Sequence, residues 1–231
     1  EWRPVRNVSL KTMSIDIETS MDASALYSIA LFGVSVAVVF MVGDEQSNNL
    51  VSDNKHDTKK IELVMCRDAR DCLQLFVDRL QQEDPDILIG WNVVQFDFWV
   101  LETLSKKHNI RLSIGRNQQT GHWREDSETN RRYLQIPGRI VLDGIELLRA
   151  AAYNFTSFSL ENVAQQLLGD GKLLKSSDRG KEISELFQDD KIQLAEYNLK
   201  DCELVWDIFE QESLLEFAIE RSHLTGLPLD R

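Results

Sequence analysis

Positive charge is in short supply. Twenty-six lysines and arginines (26) stand against 38 aspartates and glutamates, for a formal net charge of -12. A chain this acidic does not grip a nucleic-acid duplex by itself, because phosphate contacts need concentrated Lys and Arg. It can still act on nucleic acid if metal ions neutralise its site and a neighbouring domain supplies the basic surface. Cysteine is scarce as well. Cys66, Cys72 and Cys202 are odd in number and show no metal-type clustering, which excludes a disulfide framework and predicts buried thiols in a reducing, cytosolic setting. His56, His108, His122 and His223 are scattered, so no histidine metal site or Ser-His-Asp triad suggests itself. No apolar run is long enough to span a bilayer; the richest, Ala30 to Val42, is short and strand-like. The chain opens Glu1-Trp2-Arg3-Pro4 with neither Met nor a basic-then-apolar leader, so it is expected to be a piece of a longer protein.

What is present fits one large domain: 231 residues, 42% of them hydrophobic. The stretch Met13-Ser14-Ile15-Asp16-Ile17-Glu18-Thr19 alternates polar and apolar residues, the pattern of a half-buried strand. Side chains at i and i+2 share a face of a strand, so Asp16 and Glu18 stand side by side. Two carboxylates that close repel each other unless a cation lies between them. Hard oxygen ligands suit Mg²⁺ or Mn²⁺. Alone, such a pair is equally the wet face of an edge strand, and only further carboxylates aimed at the same place decide between the two.

Strands are expected at Tyr27 to Gly33, Val34 to Val42, Ile61 to Cys66, Ile87 to Gly90 and Arg139 to Leu142, with a loop or frayed hairpin over Asp44 to Lys60. Asp68 reads as the N-cap of a helix with Asp71 at its third position. Leu73, Phe76, Val77 and Leu80 recur there at helical spacing, and Asp84-Pro85-Asp86 ends the run. Phe96 to His108 is the next helix. The polar stretch Gly115 to Gly138, with Arg116, Arg124, Arg131 and Arg132, predicts a protruding hairpin. Asp143 with Glu146 resembles an N-cap pair, which explains Asp143 better than a role as a fifth acidic ligand. Ser159 caps a helix to Leu168, a loose stretch passes Ser176-Ser177, and helices follow from Glu182, the last running from about Asp190 past Phe209. Strands followed by a βαβ rhythm and terminal helices predict a mixed α/β sheet covered by helices.

Two further acidic positions join the first pair. Asp97, in Asn92-Val93-Val94-Gln95-Phe96-Asp97, follows a strand at its carboxyl end, where open α/β sheets place ligands. Tyr197 and Asp201, in Tyr197-Asn198-Leu199-Lys200-Asp201, share one helix face a turn apart. Asp-x-Glu, Asn-x-x-x-Phe-Asp and Tyr-x-x-x-Asp, in this order, resemble the four-carboxylate-plus-tyrosine (DEDDy) 3′–5′ exonucleases. Asp84 to Asn92 and Ser159-Leu160-Glu161-Asn162-Val163 resemble, more narrowly, the proofreading exonuclease domain of family B DNA polymerases, and its bacterial members most.

That resemblance implies a ribonuclease H-like mixed sheet with an inserted β-hairpin. It implies two divalent ions, Mg²⁺ or Mn²⁺, held by Asp16, Glu18, Asp97 and Asp201. Asp16 would bridge them, Glu18 and Asp201 would complete one ion, and Asp97 would hold the other, directly or through water. Tyr197, too weak a base at a pKa of about 10, would orient the attacking water. Thr19, Asn92, Phe96, Ser159 and Leu160 would contact a single-stranded DNA 3′ end, although Ser159 reads equally as a cap and Leu160 as core. The hairpin would help keep strands apart. Residues 1–12 would be the remnant of a preceding segment, 13–212 the exonuclease domain and 213–231 the connection to a polymerase portion, with Gly226-Leu227-Pro228 at the exit. The setting implied is the bacterial cytoplasm at the nucleoid. The rivals are an RNA-trimming enzyme of the same class and a catalytically silent structural module.

Overall fold

A computed structural model describes the protein over residues 9–43, 50–53, 60–169 and 179–230. The alternating stretch is strand β1 (Thr12–Thr19), followed by β2 (Leu26–Gly33) and β3 (Val36–Val42). Val34 and Ser35 form the turn between β2 and β3, with Val34 exposed, so the strand expected from Val34 begins two residues later. Next come β4 (Leu50–Asp53), β5 (Lys60–Cys66), α1 (Ala69–Glu83), β6 (Ile87–Gly90) and α2 (Asp97–Lys107). Of the loop or hairpin expected over Asp44 to Lys60, β4 pairs antiparallel with β5, and the remainder lies outside the described residues. The second half holds β7 (His122–Asp126), β8 (Arg131–Gln135), β9 (Ile140–Asp143), α3 (Gly144–Ala150), α4 (Leu160–Leu167), α5 (Arg179–Asp189), α6 (Lys191–Gln211) and α7 (Leu214–Thr225). The stretch around Ser176-Ser177 also lies outside the described residues.

Seven strands form one sheet in the order β4-β5-β3-β2-β1-β6-β9. β2 and β4 run against the other five. This is the mixed α/β sheet expected from the sequence, and β7 with β8 forms the separate hairpin. Met13, Ile15 and Ile17 join Ile29, Leu31, Val38 and Phe40 in a core closed by α1 and α2 through Leu73, Phe76, Phe98 and Leu101. Burying each such side chain contributes about 1.5–3 kcal/mol. The other face of β2 and β3, with Ala30, Phe32, Val39 and Met41, packs on Leu194, Tyr197, Leu199 and Cys202 of α6. A third cluster joins β6 and β9 to α3, α4, α7 and the end of α6. It includes Leu214 and Ala218, so the segment expected to be a connection begins as a packed helix.

β1 is central, and both of its faces are covered: Ser14 and Glu18 are buried along with the apolar residues. The strand read as half-buried from alternation is therefore covered on both faces, with Asp16 left partly exposed, because α6 lies across its polar side. The helix starts follow the capping chemistry. Asp68 accepts from the Asp71 amide at 2.8 Å, Asp143 from Ile145 at 3.0 Å and Asp190 from Gln193 at 3.0 Å. Each cap is worth about 1 kcal/mol. Asp84 closes α1 in the left-handed conformation at φ 46°.

Candidate active site

The site forms where the carboxyl end of β1 meets the middle of α6. Asp16 and Glu18 project from one side of β1, and Asp201 comes down from the buried face of α6. Each offers a carboxylate oxygen, and the three oxygens lie within 4.8 Å of one another. Glu18 and Asp201 are buried, and Asp16 is partly so. A register irregularity between Glu18 and Thr19 ends the regular pairing with β2 just past the acidic pair, as bulges beside functional sites do.

Asp97 stands outside this trio but close to its backbone. β6 pairs with β1 only as far as Ser14 opposite Ile89. Past that point the Asp97 carboxylate takes over from the strand and accepts the Ile17 amide at 3.1 Å, between Asp16 and Glu18. Asp97 is 3% exposed. The loop that delivers it begins at Gly90, where an added Cβ would lie 2.6 Å from Val93 and 3.1 Å from the Ile15 carbonyl; only glycine fits so close an approach. Asn92 follows in the left-handed conformation at φ 59°, and its carbonyl accepts from the Phe96 amide at 3.0 Å. Asp143 holds the loop from the other side through the Asn92 amide, and burial pushes its carboxyl up to about 6.

The expected substrate-contact residues come from the end of β1, from this loop and from the start of α4. Phe96 is 40% exposed, an aromatic face open to solvent. Asn92 is exposed and Thr19 is buried, its hydroxyl donating to the Ser20 carbonyl at 3.0 Å. Ser159 is exposed and caps α4, accepting from the Asn162 amide at 3.3 Å. Leu160 is buried in the third cluster. Trp91 donates its indole N–H to the Phe158 carbonyl at 2.8 Å, which fixes the start of α4 against the loop. Tyr197 is buried one helical turn before Asp201.

Three residues were not anticipated. Asn198 donates to an Asp16 oxygen at 2.7 Å. Ser28 donates to the Asn198 amide oxygen at 2.7 Å. Gln95 joins the hairpin to the site loop. Asn198 precedes Asp201 by three positions, so helical spacing carried a signal for it; Ser28 and Gln95 had none.

The family described as DNA polymerase family B, exonuclease domain, matches residues 5–163. The chain belongs to this family. DNA polymerase II of Escherichia coli K12 is 42% identical over 233 residues, covering 100% of this chain and 28% of that protein. DNA polymerase 1 of Pyrococcus abyssi is 24% identical over 225 residues, 96% of this chain and 27% of that protein. The DNA polymerase of Thermococcus litoralis is 24% identical over 201 residues, 86% of this chain and 11% of its own length. The chain thus spans little more than a quarter of the first of these relatives. Tyr197 and Asp201 lie beyond the residues that the family matches, and it is geometry that brings Asp201 to Asp16 and Glu18.

The trio fits a divalent metal. Its donors are carboxylate oxygens alone, the hard set that Mg²⁺ and Mn²⁺ take. Three carboxylates this near, two of them buried, require a positive charge to remain ionised together. Cys202 senses their field: burial raises its thiol pKa well above the ordinary value, and the charges of Asp16, Asp201 and Asp97 push in the same direction. Its sulfur is directed to the Ala30 carbonyl, 3.6 Å away. No helix among the described residues is long and apolar enough to cross a membrane.

Proposed function

We propose that this exonuclease-family chain is the proofreading part of a DNA polymerase, removing nucleoside 5′-monophosphates from single-stranded or mispaired DNA 3′ ends. The observation that carries the reading is the convergence of Asp16, Glu18 and Asp201 oxygens within 4.8 Å inside this fold. These three would hold divalent ions, Mg²⁺ or Mn²⁺, and Asp97 would hold a second ion of the pair. Ions held there would supply Lewis acidity, lowering the pKa of water and stabilising charge on the departing oxygen. Tyr197 orients the attacking water, a positioning role. Phe96 offers its open ring face to a terminal base. Thr19, Asn92, Ser159 and Leu160 line the path of the sugar and backbone, and the rest of the polymerase chain supplies the basic surface that a net charge of -12 does not.

Entry of a strand end requires unstacking, worth about 1.4 kcal/mol per step on average. Single-stranded and mismatched DNA ends are therefore expected to be cut faster than fully paired ones in Mg²⁺, and membership of a DNA polymerase family favours them over an RNA oligomer of the same sequence. Equal rates on the three DNA substrates sink the end-fraying account. Preference for RNA identifies a trimming enzyme instead, and no cleavage of any substrate identifies a structural module.

A further inference from the structure

We propose that Asn198 is a positioning residue whose side-chain amide, itself held by Ser28, fixes the Asp16 carboxylate for metal binding. The inference rests on the metal-dependent reading of the site. Asn198 and Ser28 are both 0% exposed. An asparagine buried on a helix face beside Leu194, Leu199 and Cys202 is costly unless its polar atoms are paired. Both ends of this one are. Nδ2 donates to Asp16 Oδ2 at 2.7 Å, and Oδ1 accepts from Ser28 Oγ at 2.7 Å. Ser28 sits opposite Glu18 in the β1–β2 pairing, so the chain of bonds links β2, α6 and β1 directly beneath the acidic trio.

Proton inventory sets the direction of that chain. Ser28 has a single O–H to give, and an ionised carboxylate can only accept. With the hydroxyl proton given to Oδ1, the amide N–H₂ faces Asp16. Turning the amide over would set its oxygen against a carboxylate oxygen at hydrogen-bond distance with no proton between them. The amide therefore has one workable orientation, and it anchors one oxygen of Asp16, the least buried member of the trio. A neutral donor suits this place. It restrains the carboxylate without contributing a positive charge that would compete with the cation. Because Asn198 and Asp201 share α6, seating the helix delivers one ligand and aligns another in a single event.

The test is isothermal titration of Mn²⁺ into metal-free wild-type protein and the Asn198→Ala, Ser28→Ala, double and Asp16→Ala variants, with the apo melting temperature recorded for each. Asn198→Ala is expected to weaken Mn²⁺ binding about tenfold or more, the range found for residues that orient metal ligands. The cleavage rate should recover largely at saturating Mn²⁺, which a collapsed site would not allow. Ser28→Ala should weaken binding less, and the double variant should be no weaker than Asn198→Ala, since Ser28 acts through Asn198. Wild-type affinity in Asn198→Ala overturns the proposal, as do losses that add in the double variant. Should Asn198→Ala fail to fold, Ser28→Ala decides: weakened binding supports the proposal and unchanged binding overturns it. Binding that Asp16→Ala leaves intact sinks the metal site itself, and this inference with it.

Discussion

The side chain of Gln95 clasps the backbone of Arg132 at both of its polar groups. Gln95 Nε2 donates to the Arg132 carbonyl at 2.7 Å, and Oε1 accepts the Arg132 amide at 3.0 Å. Arg132 answers with a guanidinium stacked over Trp99, 4.1 Å from the ring centre, and Trp99 meets Trp123 edge-on at 5.3 Å. The hairpin is thus joined to the loop that delivers Asp97 and to the helix behind it. A protrusion that only kept strands apart would need no such joint.

Gln95→Ala should loosen the hairpin without unfolding the sheet. Two hydrogen bonds at about 1 kcal/mol each correspond to roughly 30-fold more frequent opening. Hydrogen exchange at the β7 and β8 amides measures this, and the ratio of mismatched to paired cleavage should fall with it. Deleting Gln118 to Tyr133 removes Arg132 and bares Trp99, so single-strand cleavage should decline too. Unchanged exchange in Gln95→Ala would show that the hairpin is held by its own aromatic packing.

Asp16 substitutions should separate catalysis from stability. Asp16→Asn and Asp16→Ala are both expected to lose nuclease activity in Mg²⁺. Each relieves repulsion with Glu18 and Asp201 in the metal-free protein. Alanine also leaves the buried Asn198 amide without its acceptor, a cost of about 1–3 kcal/mol. Asn at position 16 can present an oxygen to that amide. Metal-free Asp16→Asn should therefore melt above both wild type and Asp16→Ala. Comparable DNA degradation by either variant would remove Asp16 from the site.

The alternation of Met13 to Thr19 was enough to put Asp16 and Glu18 on one side of a strand, because a two-residue period admits no other arrangement. It could not tell that this side is sealed, since polar residues on a strand read as solvent-facing until a helix is docked over them. The position of Asp201 relative to Tyr197 was legible from the helical repeat. Its approach to Asp16, 185 positions away in the chain by subtraction of residue numbers, needed the resemblance and then the fold. Ser28 is illegible for a plainer reason. In the run Leu26 to Gly33, buried at every position, a serine looks like a small filler until its hydroxyl is seen to meet Asn198. The capping residues Asp68, Asp143 and Ser159 were readable because their chemistry is local, whereas Asp190 was legible only as the approximate start of its helix.

Tyr197→Phe should slow cleavage less than Asp201→Ala. Under the proposed roles the phenol places a water, whereas the carboxylate holds an ion whose contribution is several kcal/mol. A loss of about tenfold for the phenol against about a thousandfold or more for the carboxylate is the expected contrast. Single-turnover rates at saturating Mn²⁺ measure it. Equal losses would contradict the division of labour between two residues one helical turn apart.

Asp143 supplies a pH dependence that can be separated from the metal cluster. Burial holds its carboxyl at about 6, against an ordinary value of 3.8, despite amide donation from Ile145 and Asn92. Between those two values the folded chain binds a proton that the unfolded chain has released, so this residue's stabilising contribution is present in full below about 3.8 and is lost as pH rises through 6. The difference corresponds to about 3 kcal/mol, and to about 2 kcal/mol once the water reaching a partly buried side chain is allowed for. Asp143→Asn keeps an oxygen for the Ile145 amide and stays neutral throughout. Its stability relative to wild type should therefore rise by about 2 kcal/mol between pH 4 and pH 7 and then level off. Urea unfolding of both proteins without metal, at half-unit pH steps, gives this difference directly, and carboxylates common to both cancel. A difference that stays flat across the range would mean that Asp143 is already ionised at pH 4 and that its amide donors outweigh its burial.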